Sequence, residues 1–220
     1  ISIRTEVYYQ SLSGVATDPD DRDFSILNTG ASFAFPNRVG LVSEGTGQNY
    51  GLELTVDKKL SNGFYFLLTN SLFQSTYEGA DGQERNTFYN SNFVSNVLLG
   101  KEFRLSDKLV FQLNGRFTYS GGRRFTPIDL EASIAAGEEV RLEDQPFGAQ
   151  LAPYLRPDLK IGFIFNAKNN LTHSWSVDFQ NFINRQNEFF KTYDEDRMRI
   201  RTNRQRGFFP DVRYQLLFGG

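Results

Sequence analysis

The stretch Leu109-Val-Phe-Gln-Leu-Asn-Gly-Arg-Phe-Thr-Tyr-Ser120 alternates between apolar and polar side chains. One set of alternate positions is apolar and holds Leu109, Phe111, Leu113, Phe117 and Tyr119. The other set is polar and holds Gln112, Asn114, Arg116 and Thr118. Because successive side chains of a β-strand point to opposite faces, this period of two predicts a strand with one apolar and one polar face.

Segments with similar alternation flank this strand on both sides. They are residues 1–10, 49–59, 64–77, 88–104, 154–166, 173–184 and 208–218, of which 64–77 leaves its register open. Long connections cover roughly residues 11–48, 78–87, 120–153 and 185–207, and short ones lie near 61–63, 106–108 and 167–172. Short periplasmic turns and long extracellular loops are typical of outer-membrane barrels. We therefore predict an all-β fold, an antiparallel transmembrane β-barrel with about eight strands in this chain.

Soluble sandwiches and lipocalin-like barrels also contain alternating strands. Three features favour the membrane. The predicted strands exceed the usual length of about 5–6 residues, and their apolar faces are rich in Phe and Tyr, as the aromatic girdles of membrane barrels are. Their polar faces carry charges that suit a water-filled lumen better than a dry core, namely Arg4, Glu6, Glu53, Asp57, Arg116, Lys160, Asp178 and Arg213.

Composition excludes several classes of function. The 220 residues carry a formal charge of −2, which gives no support for a nucleic-acid partner. The sequence has no cysteine, which excludes a disulfide framework and thiolate chemistry. No apolar run approaches the roughly 20 residues of a membrane-spanning helix. Residues 1–10 lack the features of a signal peptide, so we interpret the sequence as a mature chain or a fragment.

Five strings of the sequence resemble one family, in the family's order and over nearly the whole chain. They are Glu6-Val-Tyr-Tyr-Gln10, Leu41-Val-Ser-Glu-Gly-Thr-Gly-Gln-Asn-Tyr-Gly-Leu-Glu-Leu-Thr-Val-Asp-Lys58, Ser120-Gly-Gly-Arg-Arg-Phe-Thr-Pro-Ile-Asp-Leu130, Tyr154-Leu-Arg-Pro-Asp-Leu-Lys160 and Phe179-Gln-Asn-Phe182. The family is that of the TonB-dependent receptors of the Bacteroidetes outer membrane. Residues 212–218 resemble an outer-membrane C-terminal strand with its terminal aromatic, Phe218, although Gly219 and Gly220 extend past it.

This resemblance implies a barrel of about 22 strands with an N-terminal plug, of which residues 1–220 would supply about the last eight strands. The subgroup often carries a carboxypeptidase-regulatory-like domain upstream. The implied function is TonB-dependent uptake of a scarce nutrient across the bacterial outer membrane, with no enzymatic activity and no cofactor. The implied partners are the TonB energy-coupling complex through the N-terminal part, outer-membrane lipid, a nutrient ligand, and the barrel-assembly machinery through the strand ending at Phe218.

Two other functions stay open at this point. The chain could form a stand-alone eight-stranded barrel that acts as an anchor or adhesin. It could also belong to an outer-membrane enzyme, although a nucleophile–base pair would need the single histidine, His173. We interpret His173 as a solvated residue at a short turn, at the barrel end opposite the cell surface.

Arg123 and Arg124 are the candidate ligand-binding residues. They follow a Gly-Gly pair at the end of the strand 109–120. Near a barrel mouth, two guanidinium groups could clamp a carboxylate or phosphate group of a ligand. Alternatively, they could have a structural role and pair with loop or plug carboxylates such as Asp129.

No metal site is predicted. The acidic string Asp18-Pro-Asp-Asp-Arg-Asp23 lacks the ligand spacing and central glycine of an EF-hand loop, and we interpret it as a solvated extracellular loop. The string Thr192-Tyr-Asp-Glu-Asp-Arg197 is interpreted in the same way. The charged residues of the strands are expected to form networks that face the plug, among them Glu53, Asp57, Arg116, Asp178 and Arg213.

Overall fold

The computed structural model describes residues 1–30, 38–167 and 171–218. Its strands are β1 (Ser2–Thr17), β2 (Val42–Ser61), β3 (Phe64–Glu78), β4 (Glu84–Asn86), β5 (Phe93–Arg104), β6 (Leu109–Ser120), β7 (Arg124–Phe125), β8 (Ala149–Gln150), β9 (Tyr154–Asn166), β10 (Leu171–Gln180), β11 (Glu188–Asp194), β12 (Arg199–Arg204) and β13 (Phe209–Phe218). An α-helix, α1 (Leu130–Ala136), and a 3-10 turn, Ile26–Asn28, complete the described elements. No helix among the described residues is long and apolar enough to cross a membrane.

The eight long strands form one antiparallel sheet in the order β1-β2-β3-β5-β6-β9-β10-β13, with the short β4 paired to β3. This confirms the predicted all-β, antiparallel fold. Within the described residues the sheet is open, because β1 and β13 lie at its two ends and each pairs with one strand.

The predicted connection 11–48 is wrong in extent. Strand β1 continues to Thr17 and pairs there with Val42, the first residue of β2. Register shifts between Ser13 and Val15 and between Val15 and Thr17 interrupt the period of two, because each one places an extra residue in one of the two strands. Simple alternation therefore hides the end of this strand pair.

Two strand ends differ from those predicted from alternation, and an asparagine in the left-handed conformation lies at each of them. Asn92 has a φ of 69° and delays the start of β5, and Asn181 has a φ of 51° and ends β10. In the connection between β2 and β3, Asn62 and Gly63 both have positive φ, 53° and 68°. This is the type I′ geometry that matches the twist of a hairpin. The predicted turn near Asn169 lies outside the described residues.

One face of the sheet is apolar across all eight long strands, and we call it the apolar face. Strand register places Phe111 beside Phe163, Phe163 beside Trp175, and Trp175 beside Tyr214. Its further members include Val7, Tyr9, Leu52, Leu54, Val56, Phe64, Phe66, Leu68, Leu72, Val97, Leu99, Phe103, Leu109, Leu113, Phe117, Ile161, Phe165, Val177, Val212, Leu216 and Phe218. Many of these side chains are exposed, for example Val7 at 81% and Leu72 at 58%.

The opposite face, which we call the polar face, carries hydrogen-bonded polar groups. The Tyr65 hydroxyl donates to Asn114 Oδ1 at 2.9 Å, and Gln112 Nε2 donates to Glu102 Oε1 at 2.8 Å. A polar recess of about 350 Å³ lies on this face, and Lys160 is among the residues that line it. The two faces of the sheet therefore differ in polarity as the sequence predicted.

The buried residues lie at the end of the sheet where the long connections meet. The buried apolar residues of the described chain are Val15, Tyr77, Ile128 and Leu151. The long connections were predicted as loops, yet they form a folded layer that holds β4, β7, β8, α1, β11 and β12. Asp129 caps the start of α1 by accepting from the Ala132 N–H at 2.9 Å, and Gly137 ends it with a φ of 72°.

Candidate ligand pocket at the loop end

Two glycines carry the chain from β6 into the loop layer. A Cβ atom on Gly121 would lie 1.8 Å from the Ser91 carbonyl oxygen, and one on Gly122 would lie 1.9 Å from the Leu151 carbonyl oxygen. Because no side chain fits at either position, the backbone can pass close to both neighbouring segments. This close passage places the two arginines that follow inside the loop layer.

Arg124 connects the end of β6 to the segment between β4 and β5. Its Nε donates to the Asn90 carbonyl oxygen at 3.1 Å, and its Nη2 donates to Asn92 Oδ1 at 3.1 Å. Burial lowers the pKa of the Arg124 guanidinium. Asp129, which the sequence offered as one possible partner, caps α1 instead, and Arg124 binds neutral oxygens. Arg124 thus has structural contacts, and they are hydrogen bonds to a backbone oxygen and a side-chain amide oxygen.

Arg123 connects β6 to the hairpin of β11 and β12. Its Nη2 donates to the Phe189 carbonyl oxygen at 2.9 Å. Its guanidinium lies 4.8 Å from the centre of the Phe189 ring and 5.8 Å from that of Phe88. Arginine attracts the faces of aromatic rings electrostatically, so Arg123 holds two loops together while its charge stays close to the cavity between them.

Both arginines line a cavity of about 370 Å³, which we call the basic pocket. Its walls are formed by Phe88, Arg123, Arg124, Phe125, Arg141, Leu151, Phe189, Phe190, Lys191 and Thr192. Sequence reasoning found Arg123 and Arg124 but missed Arg141, Lys191 and the phenylalanines. No local signal marks them, because they come from separate connections that meet only in the folded layer.

A second charged cluster surrounds the acidic string 18–23. Arg38 lies between two of its carboxylates, 2.6 Å from Asp18 and 2.5 Å from Asp21. Arg85 pairs with Asp81 at 2.5 Å. Within the part of the chain that the structure describes, no group of three or more His, Cys, Asp or Glu side chains could hold a metal ion. The string was predicted as a solvated loop, yet part of it is paired with arginine.

The second acidic string, 192–197, is also more ordered than predicted. Its first three residues belong to β11, where Thr192 pairs with Arg201 and Asp194 pairs with Arg199 in the ladder to β12. This places the string at the tip of a β-hairpin.

The Asp23 carboxyl predicts a pH dependence of stability. Burial and the neighbouring Asp21 raise its pKa to about 6. The folded state therefore binds more protons than the unfolded state between about pH 4 and 6, and the free energy of unfolding should fall as pH rises through this window. Asp81, whose pKa Arg85 lowers to about 2, does not oppose this trend near pH 6.

Urea unfolding of the purified protein between pH 4 and 7 measures this effect. We expect Asp23→Asn to flatten the profile, whereas Asp20→Asn at an exposed position of the same string should leave it unchanged. A profile in which the Asp23→Asn protein keeps the full slope would contradict the assignment.

A buried carboxylate on the polar face fixes the last long connection. Asp158 in β9 accepts from Arg116 Nε at 2.9 Å, Arg156 Nε at 2.8 Å and the Asn181 backbone N–H at 2.7 Å. Arg116, predicted to take part in a polar-face network, does so here. Asn181 then binds the Arg185 carbonyl oxygen through its own side chain at 2.7 Å. The network ties β6 and β9 to the connection that carries β11 and β12.

His173 lies within β10 rather than at a turn. Its Nδ1 is 2.9 Å from the Tyr214 hydroxyl, and its ring stacks on Trp175 with centres 5.5 Å apart. The histidine thus belongs to the apolar face, at the end of the sheet away from the basic pocket.

Comparison of the chain with protein-family models, with curated proteins and with solved structures gave no match.

Proposed function

We propose that this chain forms part of an outer-membrane β-barrel that acts as a receptor and transporter for a scarce nutrient. The observation that carries the proposal is the apolar face, which runs across eight neighbouring strands and remains exposed. Soluble monomers rarely expose contiguous apolar patches of more than a few hundred square ångströms. Lipid hydrocarbon is the environment in which such a face lowers the free energy of the protein.

Side chains at the short-turn margin of the apolar face support a membrane position. At the short-turn end, Phe103, Trp175 and Tyr214 form an aromatic margin. Lys58 Nζ donates to the Phe64 carbonyl oxygen at 2.8 Å, and Lys101 Nζ donates to that of Asn62 at 2.9 Å. Lysines that extend to the polar boundary in this way are typical of membrane interfaces.

The receptor function rests on the resemblance to TonB-dependent receptors and on the basic pocket at the loop end. In this proposal the polar face lines the water-filled interior, and the basic pocket faces the outside of the cell. The TonB energy-coupling complex supplies the driving force through another part of the protein. The barrel-assembly machinery recognises β13, which ends at Phe218.

The two edge strands define how the barrel would be completed. In hydrocarbon every backbone N–H and C=O needs a partner, so the free edges of β1 and β13 need further strands or each other. The resemblance favours further strands of a larger barrel. A disulfide that forms in cells between cysteines introduced into β1 and β13 would instead identify the stand-alone eight-stranded barrel.

Cysteine labelling in intact cells tests the orientation. We expect a membrane-impermeant maleimide to label the protein with Glu138→Cys, in the loop layer, and not the protein with Asp107→Cys, in a short turn. Both positions are exposed, so both should react after the outer membrane is permeabilised, which serves as the control. Labelling of position 107 but not of position 138 in intact cells would overturn the orientation.

A further inference from the structure

We infer that the basic pocket binds a small organic anion with a flat aromatic body. This inference rests on the proposed function, because it names the ligand class of the same site. The ligand would place its anionic group among the cations of the pocket and its ring against the phenylalanines. Neutral solutes and cations would be rejected.

The charge of the pocket is the first argument. Four cationic side chains line it, and the lining includes no carboxylate. Two carboxylates that neighbour lining residues in the sequence already have partners. Glu139 accepts from Arg141 at 2.5 Å and from the Tyr193 N–H at 3.0 Å, and Glu188 accepts from the Ala152 N–H at 3.1 Å. Glu139 thus neutralises Arg141, whereas Arg123, Arg124 and Lys191 have no carboxylate partner among the described residues. Like charges that lie close together repel one another, so an anion in the pocket would stabilise these three cations.

The free donors are the second argument. Among the described residues, Lys191 Nζ makes no hydrogen bond or ion pair and lies 5.3 Å from the centre of the Phe125 ring. Arg123 uses Nη2 for the Phe189 carbonyl oxygen, which leaves Nε and Nη1 without an acceptor in the described chain. Charge-assisted hydrogen bonds from such groups to carboxylate oxygens are roughly twice as strong as neutral ones.

The shape and walls of the pocket are the third argument. Four of the ten lining residues are phenylalanines, namely Phe88, Phe125, Phe189 and Phe190. Phe189 and Phe190 lie edge to face with centres 5.1 Å apart, a geometry that presents a ring face for stacking. The volume of about 370 Å³ lies in the range of small-molecule sites rather than of single inorganic ions.

Three probes of matched size or charge test the inference by calorimetry on the purified protein in detergent micelles, with empty micelles as the blank. We expect 2-naphthoate to bind at least about tenfold more tightly than 2-naphthamide, which has the ring without the charge, and than acetate, which has the charge without the ring. Equal binding of naphthoate and naphthamide would overturn the role of the cations. Equal binding of naphthoate and acetate would overturn the role of the phenylalanines.

Variants locate the site. Lys191→Met should weaken naphthoate binding by about tenfold without disturbing the fold, because Lys191 holds no hydrogen bond in the described structure. Arg197→Met removes the same charge from the same hairpin outside the pocket and should change nothing. Unchanged binding in Lys191→Met would overturn the assignment. The cysteine-labelling experiment tests the membrane orientation independently of ligand binding. The proposed function and the ligand class of the basic pocket can therefore fail separately.

Discussion

Replacing Leu113 with arginine is expected to lower the yield of folded protein far more than replacing its neighbour Asn114 with arginine. Leu113 lies on the apolar face between Lys101 and Ile161, near the middle of β6. If this face contacts lipid, an arginine on it costs up to about 2–4 kcal/mol, the value at mid-bilayer depth, and at this position it would also place a second cation directly opposite Lys101. Asn114 lies on the polar face, where an added guanidinium meets water and polar groups.

The matched pair separates the membrane effect from ordinary damage to the fold. Asn114→Arg sacrifices the hydrogen bond from Tyr65, which is worth about 1 kcal/mol. The difference between the two variants should therefore be seen in urea titrations of the protein in lipid vesicles, and in the fraction that resists unfolding on unheated gels. Equal folded yields would contradict a lipid-facing position for Leu113 and would weaken the membrane proposal as a whole.

Replacing Asp158 with alanine should lower the free energy of unfolding by about 3 kcal/mol. The carboxylate is 5% exposed and binds two arginines and one backbone N–H. Its loss leaves Arg156 without its carboxylate and frees the Asn181 N–H at the start of the last long connection. Breaking a buried ion pair usually costs 3–5 kcal/mol, and the half-exposed Arg116 places this case at the lower end.

The effect of Asp158 should also reach the basic pocket, because its network anchors the connection that carries Phe189. We expect Asp158→Ala to increase proteolysis within residues 185–207 at a temperature at which the sheet remains folded. Asp178→Asn, on the same face of the neighbouring strand β10, is the matched control and should change stability little. Similar losses in both variants would mean that the Asp158 network does not anchor this connection.

The amino-acid sequence determined most of the sheet. Alternation in residues such as Leu113 and Asn114 defined the strand, its faces and their polarity, and Asn62-Gly63 defined a hairpin turn. These features depend on neighbours one or two positions apart, since the side-chain period of a strand is two and a type I′ turn has two central residues. A β-bulge or an asparagine in the left-handed conformation interrupts the alternation, and at these places the observed strand ends differ from the predicted ones.

The tertiary structure alone decided the loop layer and the pocket within it. Arg123 meets the Phe189 carbonyl 66 positions away, and Phe88 meets Asn28 60 positions away. The positions of Arg141 and Lys191 around the pocket likewise depend on how separate connections meet, and Asp129 caps a helix instead of pairing with an arginine. Such contacts depend on the order of the strands and on the paths of their connections. A strand pattern read along the chain carries no information about these paths, because each loop is positioned by the other loops it packs against.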